Sequence, residues 1–77
     1  MLKHGTRIRI LKEKLGPQQT IDLHGYICGI SSQLSETTFY IIELDTESRL
    51  NLATSGYHYP CITAPDGIIE QIEGIVE

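Results

Sequence analysis

The 77-residue sequence lacks several features that define large classes of protein. It has no tryptophan, one phenylalanine and two cysteines, and no apolar run approaches the roughly 20 residues that span a membrane. Two cysteines are too few for the set of disulfide bonds that stabilises a small secreted domain. No signal-peptide pattern is visible at the N-terminus. We therefore expect a cytoplasmic protein that has no membrane partner.

The composition is typical of one globular domain over residues 1–77, with 40% hydrophobic and 21% charged residues. The net charge of −4 is unevenly distributed. Residues 1–14 contain five cations and one acid, whereas residues 15–77 contain Arg49 against nine acids. Because a nucleic-acid binder needs a connected basic surface, the acidic body argues against nucleic acid as a partner.

Alternation of apolar and polar residues predicts several short strands, over residues 6–11, 25–31, 38–44, 49–52 and 61–64. The C-terminal isoleucines have helical spacing, but Gly67 and Gly74 disfavour a helix. We expect a helical turn after Pro65 and a short strand near residues 70–75, with a short helix as the alternative. Short strands without a long helix predict an all-β fold, closed as a small barrel so that few sheet edges are exposed.

Three segments resemble successive parts of SH3-like barrels. Residues 5–10 (Gly-Thr-Arg-Ile-Arg-Ile) resemble the opening strand, residues 24–30 resemble the Gly-x-Ile-x-Gly strand after the first long loop, and residues 65–72 resemble the closing segment. The resemblance covers about residues 5–72 and implies a single SH3-like barrel of about five antiparallel strands. Bacterial plasmid-borne type II dihydrofolate reductases and short gene-cassette and phage proteins share this pattern and length.

The resemblance to the reductases implies their fold and assembly into an oligomer, but it does not imply their activity. The catalytic strand of that family reads Val-Gln-Ile-Tyr before the closing proline. The matching positions here are Cys61, Ile62, Thr63 and Ala64, so the glutamine and the tyrosine are missing. We therefore do not expect reductase chemistry, and the sequence indicates neither another enzyme nor a cofactor.

The histidines and cysteines include the residue types of a zinc site, namely His24, Cys28, His58 and Cys61. The closely spaced cysteine pairs of structural zinc sites are missing, so we expect no metal and two free thiols. Cysteine–histidine catalysis would also need an orienting group and an oxyanion hole. One barrel of this size is too small to contain an active-site cleft of its own. We expect no catalytic residues.

Two groups of residues are candidates for ligand or partner binding. The first is the loop of Tyr57, His58 and Tyr59, because aromatic-lined grooves bind peptides; the alternative is that its rings cover the open end of the barrel. The second is Arg7 and Arg9 on the polar face of the first strand. We expect them to pair with acids on a neighbouring strand or subunit, with an anionic ligand as the alternative.

The apolar residues of the second and third strands predict self-association. If Tyr26, Cys28 and Ile30 fill the interior, Ile27 points outward beside Phe39 and Ile41. Such an external apolar patch usually marks an interface, so these three residues are the expected contact of a homo-oligomer, a dimer or a tetramer. Alternatively, the C-terminal segment with Ile72, Ile75 and Val76 folds back over the patch.

Together these features predict a non-enzymatic, oligomeric binding module of bacterial or phage origin, with a peptide or a small molecule as its ligand. One alternative is a small-molecule-binding or catalytic oligomer with a site between subunits. Another is a nucleic-acid-binding barrel that uses the basic N-terminal strand.

Overall fold

The computed structural model describes residues 2–72. The elements in chain order are β1 (Arg7–Ile10), a 3-10 turn (Lys12–Lys14), β2 (Leu23–Leu34), β3 (Thr37–Leu44), α1 (Thr46–Ala53), β4 (Cys61–Pro65), a 3-10 turn (Asp66–Ile68) and β5 (Glu70–Gln71). The strands form one antiparallel sheet in the order β4-β3-β2-β1-β5. The predicted all-β fold of about five antiparallel strands, with a helical turn near the C-terminus, is confirmed. No helix within residues 2–72 is long and apolar enough to cross a membrane.

The core lies on one face of the sheet, which we call the inner face. Its buried hydrophobic residues are Ile8, Ile10, Leu23, Ile27, Tyr40, Ile42, Leu44 and Ala64. In β1 the inward positions agree with the sequence prediction, because Ile8 and Ile10 alternate with the two arginines. In β3 apolar residues occupy both faces, and Tyr40, Ile42 and Leu44 enter the core, whereas Phe39 and Ile41 are partly exposed. Burying one such large side chain contributes about 1.5–3 kcal/mol relative to leaving it exposed.

The predicted orientation of β2 is wrong. Ile27 is 1% exposed and belongs to the core, whereas Tyr26 is 40% and Ile30 is 48% exposed. Ile27 lies directly opposite the buried Ile42 of β3, and register shifts occur on both sides of the Gly29–Ile30 pair. Both faces of β2 carry apolar residues, so alternation alone could not select the inner face; the pairing with β3 selects it. Ile27 is therefore not part of an external patch.

The predicted strand at residues 49–52 is a helix instead. The Asp45 carboxylate caps α1 by accepting a hydrogen bond from the Ser48 amide at 2.9 Å. The buried Ser48 hydroxyl accepts a hydrogen bond from the His24 amide at 2.8 Å and so joins the helix to β2. Four residues of apolar and polar alternation are too short a pattern to distinguish a helix from a strand. Here the cap residue and the tertiary hydrogen bond stabilise the helix.

The long loop between β1 and β2 is attached to α1. The Gln19 side-chain amide donates to the Asn51 side-chain oxygen at 2.8 Å, and Asn51 in turn donates to the Thr20 hydroxyl at 3.1 Å. Leu15 of the same loop packs against the core. These contacts place the loop beside the helix and leave a cleft between them.

The C-terminal strand pairs with β1, Glu70 lying opposite Arg9 and Gln71 opposite Ile8. The predicted turn after Pro65 followed by a strand is confirmed for residues 66–71. The remainder of the predicted strand, over residues 73–75, lies outside the described residues.

Candidate binding site

The Tyr57–Tyr59 loop is connected to the rest of the fold by a glycine turn before it and a hydrogen bond to the strand after it. It follows α1 through Gly56, whose φ of +94° is a left-handed conformation that favours glycine. The Tyr57 hydroxyl donates a hydrogen bond to the Cys61 carbonyl at 2.6 Å, and burial raises the pKa of this phenol. The rings of Tyr57 and Tyr59 meet edge to face with their centroids 5.3 Å apart. Tyr57 is thereby attached to the first residue of β4, and Tyr59 packs against the ring of Tyr57.

Two of the three loop residues open onto a pocket beside α1, which we call the helix pocket. Its volume is about 260 Å³, and its lining comprises Thr46, Arg49, Leu50, Ala53, His58 and Tyr59. Leu50 is 65% and Tyr59 is 68% exposed, which places them among the most exposed large hydrophobic side chains of the described chain. Leu50 and Tyr59 therefore place two exposed apolar side chains in one concave surface.

Tyr57 faces a different cleft, of about 420 Å³, between α1, β4 and the long loop. This loop cleft is lined mostly by apolar side chains, from Leu15, Gln19, Leu23, Leu52, Tyr57, Ile62 and Thr63. Since Leu15, Leu52 and Ile62 pack against the core, this cleft is a gap at the edge of the core. The structure thus separates the predicted aromatic site, leaving His58 and Tyr59 on the helix pocket and Tyr57 on the loop cleft.

The helix pocket is lined by basic groups and by no acid. Arg49 is the only lysine or arginine between residues 15 and 77. Within residues 2–72 it forms no ion pair, and the His58 imidazole is in the same lining. The chain as a whole has a net charge of −4, whereas the charged side chain that lines this pocket is positive. A positive charge in the lining favours a negatively charged ligand.

The two arginines of β1 lie away from both pockets. Arg9 forms an ion pair with Glu70 of the neighbouring strand β5, with an Nη2–Oε1 distance of 2.7 Å, and this hydrogen bond raises the pKa of Arg9. The charge pattern predicts such a pair. Arg7 lies opposite Tyr26 on the outer face and forms no ion pair within the described residues.

The two thiols lie on either side of Glu43. Cys61 is directly opposite Glu43 across β3 and β4, and the Cys28 sulfur is 3.5 Å from a Glu43 carboxylate oxygen. Burial, followed by hydrogen bonding to Glu43, raises the pKa of the Cys28 thiol, so the group is protonated at neutral pH and is a weak nucleophile.

Both thiols are free. The strands that carry them are separated by β3, so their Cα atoms are about 10 Å apart, beyond the roughly 7 Å limit for a disulfide. Within residues 2–72, no three His, Cys, Asp or Glu side chains are placed to hold a metal ion.

Sequence reasoning missed Arg49 and Leu50 as site residues, because it placed them in a strand. The overlooked signal was the segment from Asp45 to Ser48, in which an Asp precedes Thr, Glu and Ser. An aspartate cap followed by an acid in the first turn is typical of a helix start. Comparison with known proteins finds no matching family model, curated protein or solved structure.

Proposed function

We propose that this chain is a non-enzymatic binding module that holds a short acidic peptide segment in the helix pocket. One observation supports this more than any other. Two highly exposed hydrophobic side chains, Leu50 and Tyr59, line the same concave surface as Arg49, which is unpaired within residues 2–72.

The chemistry of the lining defines the ligand. A guanidinium group binds a carboxylate through two parallel hydrogen bonds, and His58 can donate a further one. Leu50 and Tyr59 offer an apolar platform, on which an aromatic or branched side chain removes exposed surface from water. The expected ligand therefore carries a carboxylate next to an apolar side chain.

The scaffold supports the same proposal. The five antiparallel strands, with a 3-10 turn before β5, support the resemblance to SH3-like barrels in strand number and order of elements, while no pairing of β4 with β5 closes the sheet within residues 2–72. Binding residues on a loop and a short helix above a rigid sheet are a common arrangement. Two unpaired thiols suit a reducing compartment such as the cytoplasm.

The proposal can be tested with N-acetyl-phenylalanine, which carries a carboxylate next to an aromatic side chain, and with N-acetyl-phenylalaninamide, which lacks the charge. Each compound is titrated into the 15N-labelled protein, and amide chemical shifts are recorded. We expect saturable shifts within residues 46–59 and weaker binding of the amide.

Two variants serve as matched controls. Arg49→Gln should bind both compounds equally, since it removes the charge that distinguishes them, whereas Tyr59→Ser should weaken both. Shifts confined to the loop cleft around Leu15 and Ile62, or no saturable shifts with either compound, would refute the proposal.

A further inference from the structure

The surface of β2 and β3 that faces away from the core has a regular pattern, and we call it the outer face. Residues directly opposite each other on neighbouring strands share a face. The four outward pairs are Tyr26–Glu43, Gly29–Ile41, Ser32–Phe39 and Leu34–Thr37. In the last three pairs, a large apolar residue lies beside a small one.

Gly29 is the small residue of the outer face beside which the structure shows open space. A Cβ atom added to Gly29 would meet no atom within 4 Å, although this glycine lies in the middle of a strand next to Ile41. A glycine inside a strand marks either a bulge, as in the register shift between Ile27 and Gly29, or the close approach of another molecule or backbone. On the same face, Phe39 and Ile41 are partly exposed, and Leu34 is 62% exposed.

We infer that a second copy of this chain covers the outer face. The two copies are related by a two-fold axis that lies in the plane of the contact. The axis runs parallel to β2 and β3, midway between them, so that β3 of one copy lies over β2 of the other. Ile41 then lies over Gly29 of the partner subunit, Phe39 over Ser32 of the partner subunit, and the partner's Leu34 over Thr37. The face is complementary to itself, as an isologous interface requires, and two sheets pack in this way about 10 Å apart.

Charge complementarity selects a second copy over an unrelated partner. Neither Arg7 nor Glu43 has an ion-pair partner within residues 2–72, and both are direct neighbours of Tyr26 in the same row across the sheet. The two-fold axis places Glu43 of the partner subunit over Tyr26, beside Arg7. Each dimer therefore forms two Arg7–Glu43 pairs between copies.

This interface replaces the patch that the sequence predicts. Phe39 and Ile41 remain in it, but Ile27 is in the core, and Gly29 is the residue of β2 that lies opposite Ile41. The inference is independent of the proposed function, because no residue of the helix pocket takes part.

Sedimentation equilibrium of the full chain, at concentrations from micromolar to millimolar, tests the inference. We expect the wild type to have twice the monomer mass of 8.6 kDa. Ile41→Lys should be monomeric and fully folded by circular dichroism, since Ile41 lies outside the core. Leu50→Ser, in the helix pocket, should remain dimeric.

A charge exchange supplies a second test that does not depend on the apolar contacts. Arg7→Glu alone and Glu43→Arg alone should each raise the dimer dissociation constant by about tenfold or more, and the double variant should recover most of the loss. A structural role of either residue within one chain would not produce this recovery.

Three results would overturn the inference. They are a monomeric wild type, a dimer that Ile41→Lys leaves intact, and a double variant no tighter than the single ones. If the wild type is monomeric, hydrogen exchange of the Gly29 amide in the double variant Ile75→Asp, Val76→Asp shows what covers the outer face. Faster exchange in that variant than in the wild type would assign the outer face to the chain's own C-terminal residues instead of a second copy.

Discussion

Gly25 and Gly29 of β2 look alike in the sequence but have opposite surroundings. A Cβ atom at Gly25 would collide with the backbone carbonyl of Glu43 on the neighbouring strand, whereas one at Gly29 meets open space. The obstacle at Gly25 is backbone rather than the end of a flexible side chain. Relief would therefore require β2 and β3 to move apart, which disturbs their hydrogen bonds.

Gly25→Ala should lower the free energy of unfolding by about 1–3 kcal/mol or more, as overpacking does in other proteins. Gly29→Ala is the matched control and should leave it nearly unchanged. Urea denaturation of both variants in the Ile41→Lys background separates folding from self-association. Equal losses for the two variants would contradict this account.

Helix α1 is an element that depends on its connections. Its eight residues, Thr46–Ala53, are too few for a stable isolated helix. Asp45 caps its first turn, and the Ser48 hydroxyl attaches it to β2 of the sheet. The hydrogen bond between Gln19 and Asn51 attaches it to the long loop. Four of the six residues of the helix pocket lie on this helix, so the pocket exists only while the helix is formed.

Asp45→Ala should therefore affect stability and binding together. Loss of the cap should cost about 0.5–2 kcal/mol of unfolding free energy, whereas Asp45→Asn, which keeps an acceptor oxygen, should cost much less. Urea denaturation measures the first effect, and titration with N-acetyl-phenylalanine measures the second. An alanine variant with full stability would show that the tertiary contacts of Ser48 are sufficient by themselves.

Across the whole molecule, charge is segregated along the chain. Residues 1–14 carry a net charge of +4 and residues 15–77 a net charge of −8. Folding brings part of the basic segment against the acidic one, as in the pair of Arg9 with Glu70. The basic segment is thereby partly neutralised rather than extended into the connected basic surface that nucleic acids require.

This arrangement predicts weak retention on heparin. At low salt we expect the chain to elute early, and Arg7→Ala should elute at the same salt concentration as the wild type. A steep salt dependence, with strong retention that the Arg7 substitution removes, would favour the nucleic-acid-binding alternative.

Much of the fold and part of the site were predictable from the sequence. In β1 the large apolar residues occupy one parity, so Ile8 and Ile10 could be assigned to the core. In β3 both parities carry large apolar residues, so the burial of Tyr40 and Ile42 is decided by the structure. The Tyr57–Tyr59 loop was predictable as a candidate site, because aromatic side chains in a loop can line a groove; the alternative was that its rings cover the end of the barrel. Its separation between two pockets was not, since that depends on which side of α1 each ring faces.

The sequence by itself determined the strand-rich fold class, the segregation of charge and the turn before the last strand, because alternation, charge and proline or glycine positions are local properties. Only the tertiary structure decided which face of β2 is buried, since both of its faces are apolar and the pairing of Ile27 with Ile42 makes the choice. It also decided that residues 46–53 are helical, because the buried Ser48 hydroxyl binds the His24 amide, which is distant in sequence. Local patterns specify what a segment can form, and long-range hydrogen bonds and packing select among those possibilities.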